Sequence, residues 1–137
     1  MPDRLILLIE HEANLRHVLG ACLREFGGWN VTLSASIEEG IELCEKNRPD
    51  VILIDASTPE NDAVILIELL KQYSAKQAVP LLLISTRATW FTRQELNQMG
   101  FSGAIGKSLD PSTLSSQVFR LINPKLPVME NPNHRKT

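Results

Sequence analysis

Cysteine is scarce in this chain of 137 residues: only Cys22 and Cys44 occur, and they form no metal-ligand spacing. A disulfide framework or a zinc finger is excluded as the source of stability, and both thiols are expected to be reduced in a cytoplasmic protein. Long hydrophobic runs are missing as well. The run nearest the N-terminus, Leu5-Ile6-Leu7-Leu8-Ile9, stops at Glu10 and His11, too short for a signal-peptide core or for the ~20 residues of a membrane span. Positive charge is not in excess, since 14 Lys and Arg face 16 Asp and Glu for a net charge of −2. Nothing therefore drives counterion release from a nucleic acid, and neither a nucleic acid nor a membrane is an expected partner. No glycine-rich phosphate loop, Walker lysine or nucleophile elbow is present, so a nucleotide-binding enzyme or an α/β hydrolase has no motif support and an enzyme is not expected.

What is present is a globular composition, 43% hydrophobic and 22% charged, at the length of one domain. Continuous apolar runs at residues 5–9, 51–54 and 81–84 suit strands buried on both faces of a parallel sheet. Between the first two, Leu15, Val18, Leu19, Cys22, Leu23 and Phe26 form the stripe of an amphipathic helix, which Gly27-Gly28 stops. Residues 29–33 alternate as a strand. Ser36 caps a second helix with Ile37, Ile41 and Cys44 facing inward, and Pro49 closes that unit. Turn residues at 57–62 precede a third helix over 63–73 with a wide apolar face. Pro80 opens the next strand, residues 89–99 read as a helix stopped by Gly100, and 102–106 as a short strand. Asp110-Pro111 supplies an N-cap and first-turn proline for a last helix facing inward through Leu114, Val118, Leu121 and Ile122. Residues 1–122 are thus expected to form the domain, and 123–137, without periodicity, a loose C-terminal tail.

Strand and helix alternate five times, which right-handed crossovers convert into a doubly wound α/β sandwich. Ligands of such folds bind beyond the carboxyl ends of the strands. Glu10 and His11, Asp55, Ser85 and Lys107 all fall at that edge, from four different strands.

These residues resemble the receiver domain of two-component response regulators, over about residues 4–122. Ile6-Leu7-Leu8-Ile9-Glu10-His11-Glu12-Ala13-Asn14-Leu15-Arg16 is similar to the family's first strand, acidic pair and first helix. Arg48-Pro49-Asp50-Val51-Ile52-Leu53-Ile54-Asp55 with Pro59 is similar to its phosphoacceptor strand and loop. Val79-Pro80 to Ile84-Ser85 resembles the strand ending in a switch hydroxyl, and Gly100 to Lys107 with Asp110 the strand ending in a lysine. The resemblance implies a five-stranded parallel, flavodoxin-like (βα)5 sandwich of strand order 2-1-3-4-5. It also implies Asp55 as phosphoacceptor, Lys107 and Ser85 as phosphoryl ligands, and a magnesium site of Glu10, His11, Asp55 and the Ser57 backbone carbonyl.

The departures from the family pattern fall on the site. Glu10 and His11 stand where two aspartates are usual, and an imidazole weakens binding of Mg2+ while suiting another divalent transition metal. Ala104 replaces the fifth-strand aromatic that rotates during signalling, so weak coupling between pocket and surface is expected. Ser108 follows Lys107 where a cis proline is usual, and Thr86 follows Ser85 where a small residue is favoured, narrowing the way to Asp55. Trp90 and Phe91 adjoin the docking face, with one of them exposed.

The implied function is a stand-alone, cytoplasmic response-regulator receiver in phosphorelay signal transduction. A sensor histidine kinase or phosphotransfer protein would phosphorylate Asp55, and a downstream protein would dock on the face of helix 4, strand 5 and helix 5. The alternative is a non-phosphorylated pseudo-receiver that serves as a constitutive interaction scaffold.

Overall fold

The computed structural model describes residues 4–55, 57, 59–107 and 110–123. Five parallel strands, β1 (Leu5–Ile9), β2 (Asn30–Ser34), β3 (Val51–Asp55), β4 (Leu81–Ser85) and β5 (Gly103–Gly106), form one sheet in the order β2-β1-β3-β4-β5. The helices are α1 (Ala13–Gly27), α2 (Ile37–Asn47), α3 (Ala63–Gln77), α4 (Arg93–Gln98) and α5 (Leu114–Ile122). The flavodoxin-like topology implied by the sequence is the one observed.

The apolar runs are continuous because both faces of the sheet are covered. Ile6, Leu8, Leu53, Leu82 and Ile84 point toward α1 and α5, where they pack with Leu19, Leu23, Leu114 and Val118. Leu7, Ile9, Ile52, Ile54, Leu81 and Leu83 point the other way and pack with Ile37, Cys44, Leu70, Leu96 and Phe101. The helix starts follow their caps: the Glu12 carboxylate accepts from Leu15 N–H and the Ser36 hydroxyl from Glu39 N–H, while Gly28 closes α1 at φ 68°.

Four expectations are corrected. The helix expected over 89–99 is a 3-10 turn at Ala88–Trp90, an extended Phe91, and then α4, which starts where Thr92 and Glu95 form a reciprocal capping box. Among the inward stripe of α1, Val18 and Phe26 are exposed, while Trp29, just beyond the helix, joins Leu19 and Leu23 in the core. The wide apolar face of α3 is only partly covered: Leu70 is buried, whereas Val64 and Ile65 are 79% and 63% exposed and Leu69 is exposed too. A helix laid on a sheet buries one stripe, and α3 carries more apolar residues than one stripe can use. Asp110 and Pro111 cap a further 3-10 turn, Pro111–Thr113, from which α5 continues. The proposed tail, apart from Asn123, lies outside the described residues, as does Ser108. No helix among the described residues is long and apolar enough to cross a membrane.

Candidate phosphoacceptor and metal site

Strand register places the site. Ile9 pairs with Ile54, so the next residues, Glu10 and Asp55, leave adjacent strands side by side at the carboxyl edge. Asp55 pairs with Ile84 and Ser85 with Gly106, which brings Ser85 and Lys107 to the same edge. Glu10 and Asp55 are 0% and 1% exposed, an unusual depth for two carboxyl groups.

Lys107 Nζ lies 2.6 Å from Asp55 Oδ2. Oδ2 lacks a well-aligned hydrogen bond, so this contact is foremost an ion pair. Asp55 Oδ1 accepts from the Ser57 backbone N–H at 3.0 Å and the Ser57 hydroxyl at 2.7 Å, and Lys107 Nζ also donates to Ser57 Oγ at 3.3 Å. Glu10 Oε2 accepts from Glu12 N–H at 3.1 Å and lies 3.7 Å from His11 Nδ1. Glu10 Oε1 is buried and has no hydrogen-bond partner among the described residues. Arg16 pins the turn below, donating from Nη1 to the carbonyls of Glu10 and His11 at 2.9 and 3.4 Å.

The two carboxyl groups are driven apart in acidity. Burial, reinforced by the adjoining Asp55 carboxylate, holds Glu10 well above the usual carboxylate range. Burial also acts to raise Asp55, but the neighbouring Glu10 carboxyl, the Lys107 charge and the Ser57 donors outweigh it and hold Asp55 low. Lys107 is pushed up, chiefly by its contact with Asp55. The site thus contains an ionised buried carboxylate next to a carboxyl that favours its proton.

Glu10, His11 and Asp55 each offer one ligand atom, all within 4.8 Å of one another. An orphaned buried oxygen beside a second carboxylate and an imidazole is a donor set that fits a divalent cation. Ser85 reaches the edge, but its hydroxyl accepts from Arg87 N–H at 3.0 Å. Thr86 is exposed in the turn that follows. Trp90 is 70% exposed, with Arg87 stacked 4.9 Å from its ring centre, while Phe91 is partly buried against the core. One exposed aromatic of the pair agrees with the sequence reading, although the pair straddles a 3-10 turn and a cap rather than one helix.

Two contributors escaped the sequence. The Ser57 hydroxyl joins Asp55 to Lys107, and the spacing Asp-x-Ser, which favours an Asx turn, was its signal. The Glu60 carboxylate accepts from Ile37 N–H at 2.6 Å and Glu38 N–H at 3.2 Å, so the loop after β3 caps α2. Nothing local marks that contact.

A parallel sheet of this order with a buried acidic pair and a lysine at its carboxyl edge defines a receiver-type α/β module. The chain belongs to the response regulator receiver domain family, which matches residues 6–119. It is 24% identical over 117 residues to the response regulator Rre1 of Synechocystis, covering 85% of this chain and 51% of that protein. It is 27% identical over 116 residues to the transcriptional regulatory protein PdtaR of Mycobacterium tuberculosis, covering 84% and 53%. The chain therefore spans about half the length of these relatives. Among solved structures, the chemotaxis response regulator CheY4 of Vibrio cholerae superposes with a TM-score of 0.75 at 22% identity, over 88% of this chain and 99% of that one. The receiver domain of the sensor histidine kinase PA1611 from Pseudomonas aeruginosa, which holds a magnesium ion in its active site cleft, gives 0.72 at 25% identity over 89% and 99%. A receiver domain is a signalling module rather than a conventional enzyme.

Proposed function

We propose that this chain accepts a phosphoryl group on Asp55 from a phosphohistidine of a sensor kinase or phosphotransfer protein, in the cytoplasm, and acts by docking to another protein. The observation that carries this reading is the buried Asp55 carboxylate, kept ionised by Lys107 at 2.6 Å and by Ser57. An Asp55 oxygen attacks phosphorus, the P–N bond of the donor breaks, and its electron pair returns to the imidazole, which takes up a proton. An acyl phosphate forms with no redox change. Lys107 meets the added negative charge at the phosphoryl oxygens, and the Ser85 hydroxyl, which accepts from Arg87 N–H, keeps its own proton to donate to one of them. Glu10, His11, Asp55 and the Ser57 carbonyl would hold a divalent cation, which, when bound, screens repulsion between the carboxylate and the incoming phosphoryl group.

Incubation with radiolabelled acetyl phosphate in the presence of Mg2+ or Mn2+ tests the proposal. Wild type is expected to take up an alkali-labile label and Asp55→Asn none; an unlabelled wild type sinks the reading. One observation favours the scaffold alternative: Ala104 leaves no aromatic rotor on β5 beside β4. That alternative requires Asp55→Asn to leave partner binding unchanged, and a large loss of binding removes it.

A further inference from the structure

We propose that the pocket of Glu10, His11 and Asp55 selects a first-row transition-metal dication, such as Zn2+ or Co2+, over Mg2+, with His11 as the ligand that sets the preference. The inference rests on the divalent-cation part of the reading above for its location, but does not require Asp55 to be phosphorylated.

Among the described residues, this is the group of His, Cys, Asp and Glu side chains close enough to share one ion, with ligand atoms within 4.8 Å of one another. That spread is close to the span of ligands bound at ~2.0–2.2 Å on opposite sides of one ion. A second observation is independent of the clustering. Glu10 is wholly buried, and its Oε1 meets no donor among the described residues, in a pocket shared with another carboxylate. A buried acceptor left bare is costly, so this atom calls for a cation or a proton.

The kind of cation follows from donor chemistry. Mg2+ prefers near-octahedral coordination by hard oxygens, most of them water or carboxylate, and gains little from an imidazole. Here one carboxylate oxygen of Asp55 is already held by Lys107, and the third donor is nitrogen. The remaining set, two carboxylate oxygens and one imidazole nitrogen, matches the mixed ligation that Zn2+ and Co2+ accept with open positions left for water. The His11 side chain is 35% exposed, so the ring can adjust to an ion without unpacking the core.

Calorimetric titration of the full chain with Zn2+ and Mg2+ separately, without a phosphoryl donor, provides the test. Wild type is expected to bind Zn2+ at least about tenfold more tightly than Mg2+, in line with the ordering of ion affinities at nitrogen-containing sites. His11→Ala should lose about tenfold or more in Zn2+ affinity with Mg2+ little changed, and His11→Asp should favour Mg2+. The visible ligand-field bands of bound Co2+ should change in His11→Ala, a signature of lost nitrogen ligation, while circular dichroism confirms that both variants remain folded. Equal affinities for the two ions overturn the proposal. So does a Zn2+ affinity that survives His11→Ala, because it places the ion elsewhere, as at His17 or Cys22. Label on Asp55 without Zn2+ preference retains the phosphoacceptor reading and removes this one. Zn2+ preference without label does the reverse.

Discussion

Glu10 and Asp55 follow the paired residues Ile9 and Ile54 on adjacent strands, and folding moves their acidities in opposite directions. For Glu10, raised by burial and by its neighbour, the stability contribution is complete below the usual carboxylate range and is lost as pH rises through its elevated value. For Asp55 the sign reverses: its contribution is present above the usual range and is lost as pH falls through its depressed value. Glu10→Gln keeps a donor facing Asp55 but cannot ionise. In a metal chelator it should be more stable than wild type at pH 8, by an amount on the order of 1 kcal/mol, the worth of about one pKa unit, and close to wild type at pH 5. Thermal melts at the two pH values check this, and an identical shift at both contradicts it.

Lys107 is the counter-charge of a carboxylate that is 1% exposed. Lys107→Met should cost about 1–3 kcal/mol in urea denaturation, less than for a fully buried pair because the lysine retains some water contact. Asp55→Asn combined with Lys107→Met should recover most of that loss, since no uncompensated charge remains. A double variant as unstable as Lys107→Met alone would show that the lysine stem, rather than its charge, matters.

Much of the fold was legible because local chemistry and tertiary placement agree. Leu5 to Ile9 is apolar at every position, and a strand covered on both faces requires that. Ser36 caps α2 as its position before Ile37 suggests. Where the reading failed, a helix over 89–99 ran through Trp90 and Phe91, yet Thr92-Arg93-Gln94-Glu95 is itself a helix start, and that start prevailed. At the site, Glu10, His11, Asp55 and Lys107 were placed by strand ends alone. Glu60 on the α2 N-terminus was not, because a contact spanning 23 positions leaves no local mark.

Gly27 lies against Ser115, whose Oγ accepts from buried Trp29 Nε1 at 3.2 Å. A Cβ on Gly27 would come within 1.9 Å of that oxygen and 2.6 Å of Trp29 Cδ1. Gly27→Ala should therefore destabilise by about 1–3 kcal/mol through overpacking. Ser115→Ala, which only removes a hydrogen bond, should cost about 1 kcal/mol. Chemical denaturation distinguishes the two, and equal effects would argue against a steric origin.

The Cys44 thiol is fully buried and, by desolvation first and the nearby Glu45 charge second, pushed up to about 12. Thiolate is the reactive form, so Cys44 should resist a thiol reagent at pH 8 until the chain is unfolded. Mass spectrometry of the native protein should find no label on Cys44; rapid native labelling would show that the α2 layer opens.

Ala104 offers no ring to swing between two positions, and a ligand that binds two states equally shifts neither. With a phosphoryl mimic shown to fill the pocket, amide chemical shifts should move near Glu10, Asp55 and Lys107 and little across residues 90–104. Broad shifts there would assign the missing role to Phe91 or Phe101.

Val64, Ile65 and Leu69, left outside by α3, also govern how the protein behaves in bulk. A net charge of −2 provides weak mutual repulsion between molecules, and it vanishes near pH 5.9. Colloidal attraction through an oily stripe then goes unopposed, and sulfate, which strengthens apolar burial, adds to it. Light scattering should rise as solutions are acidified toward that pH or salted with ammonium sulfate, and exchanging Val64 and Ile65 for lysine and glutamate should keep them clear.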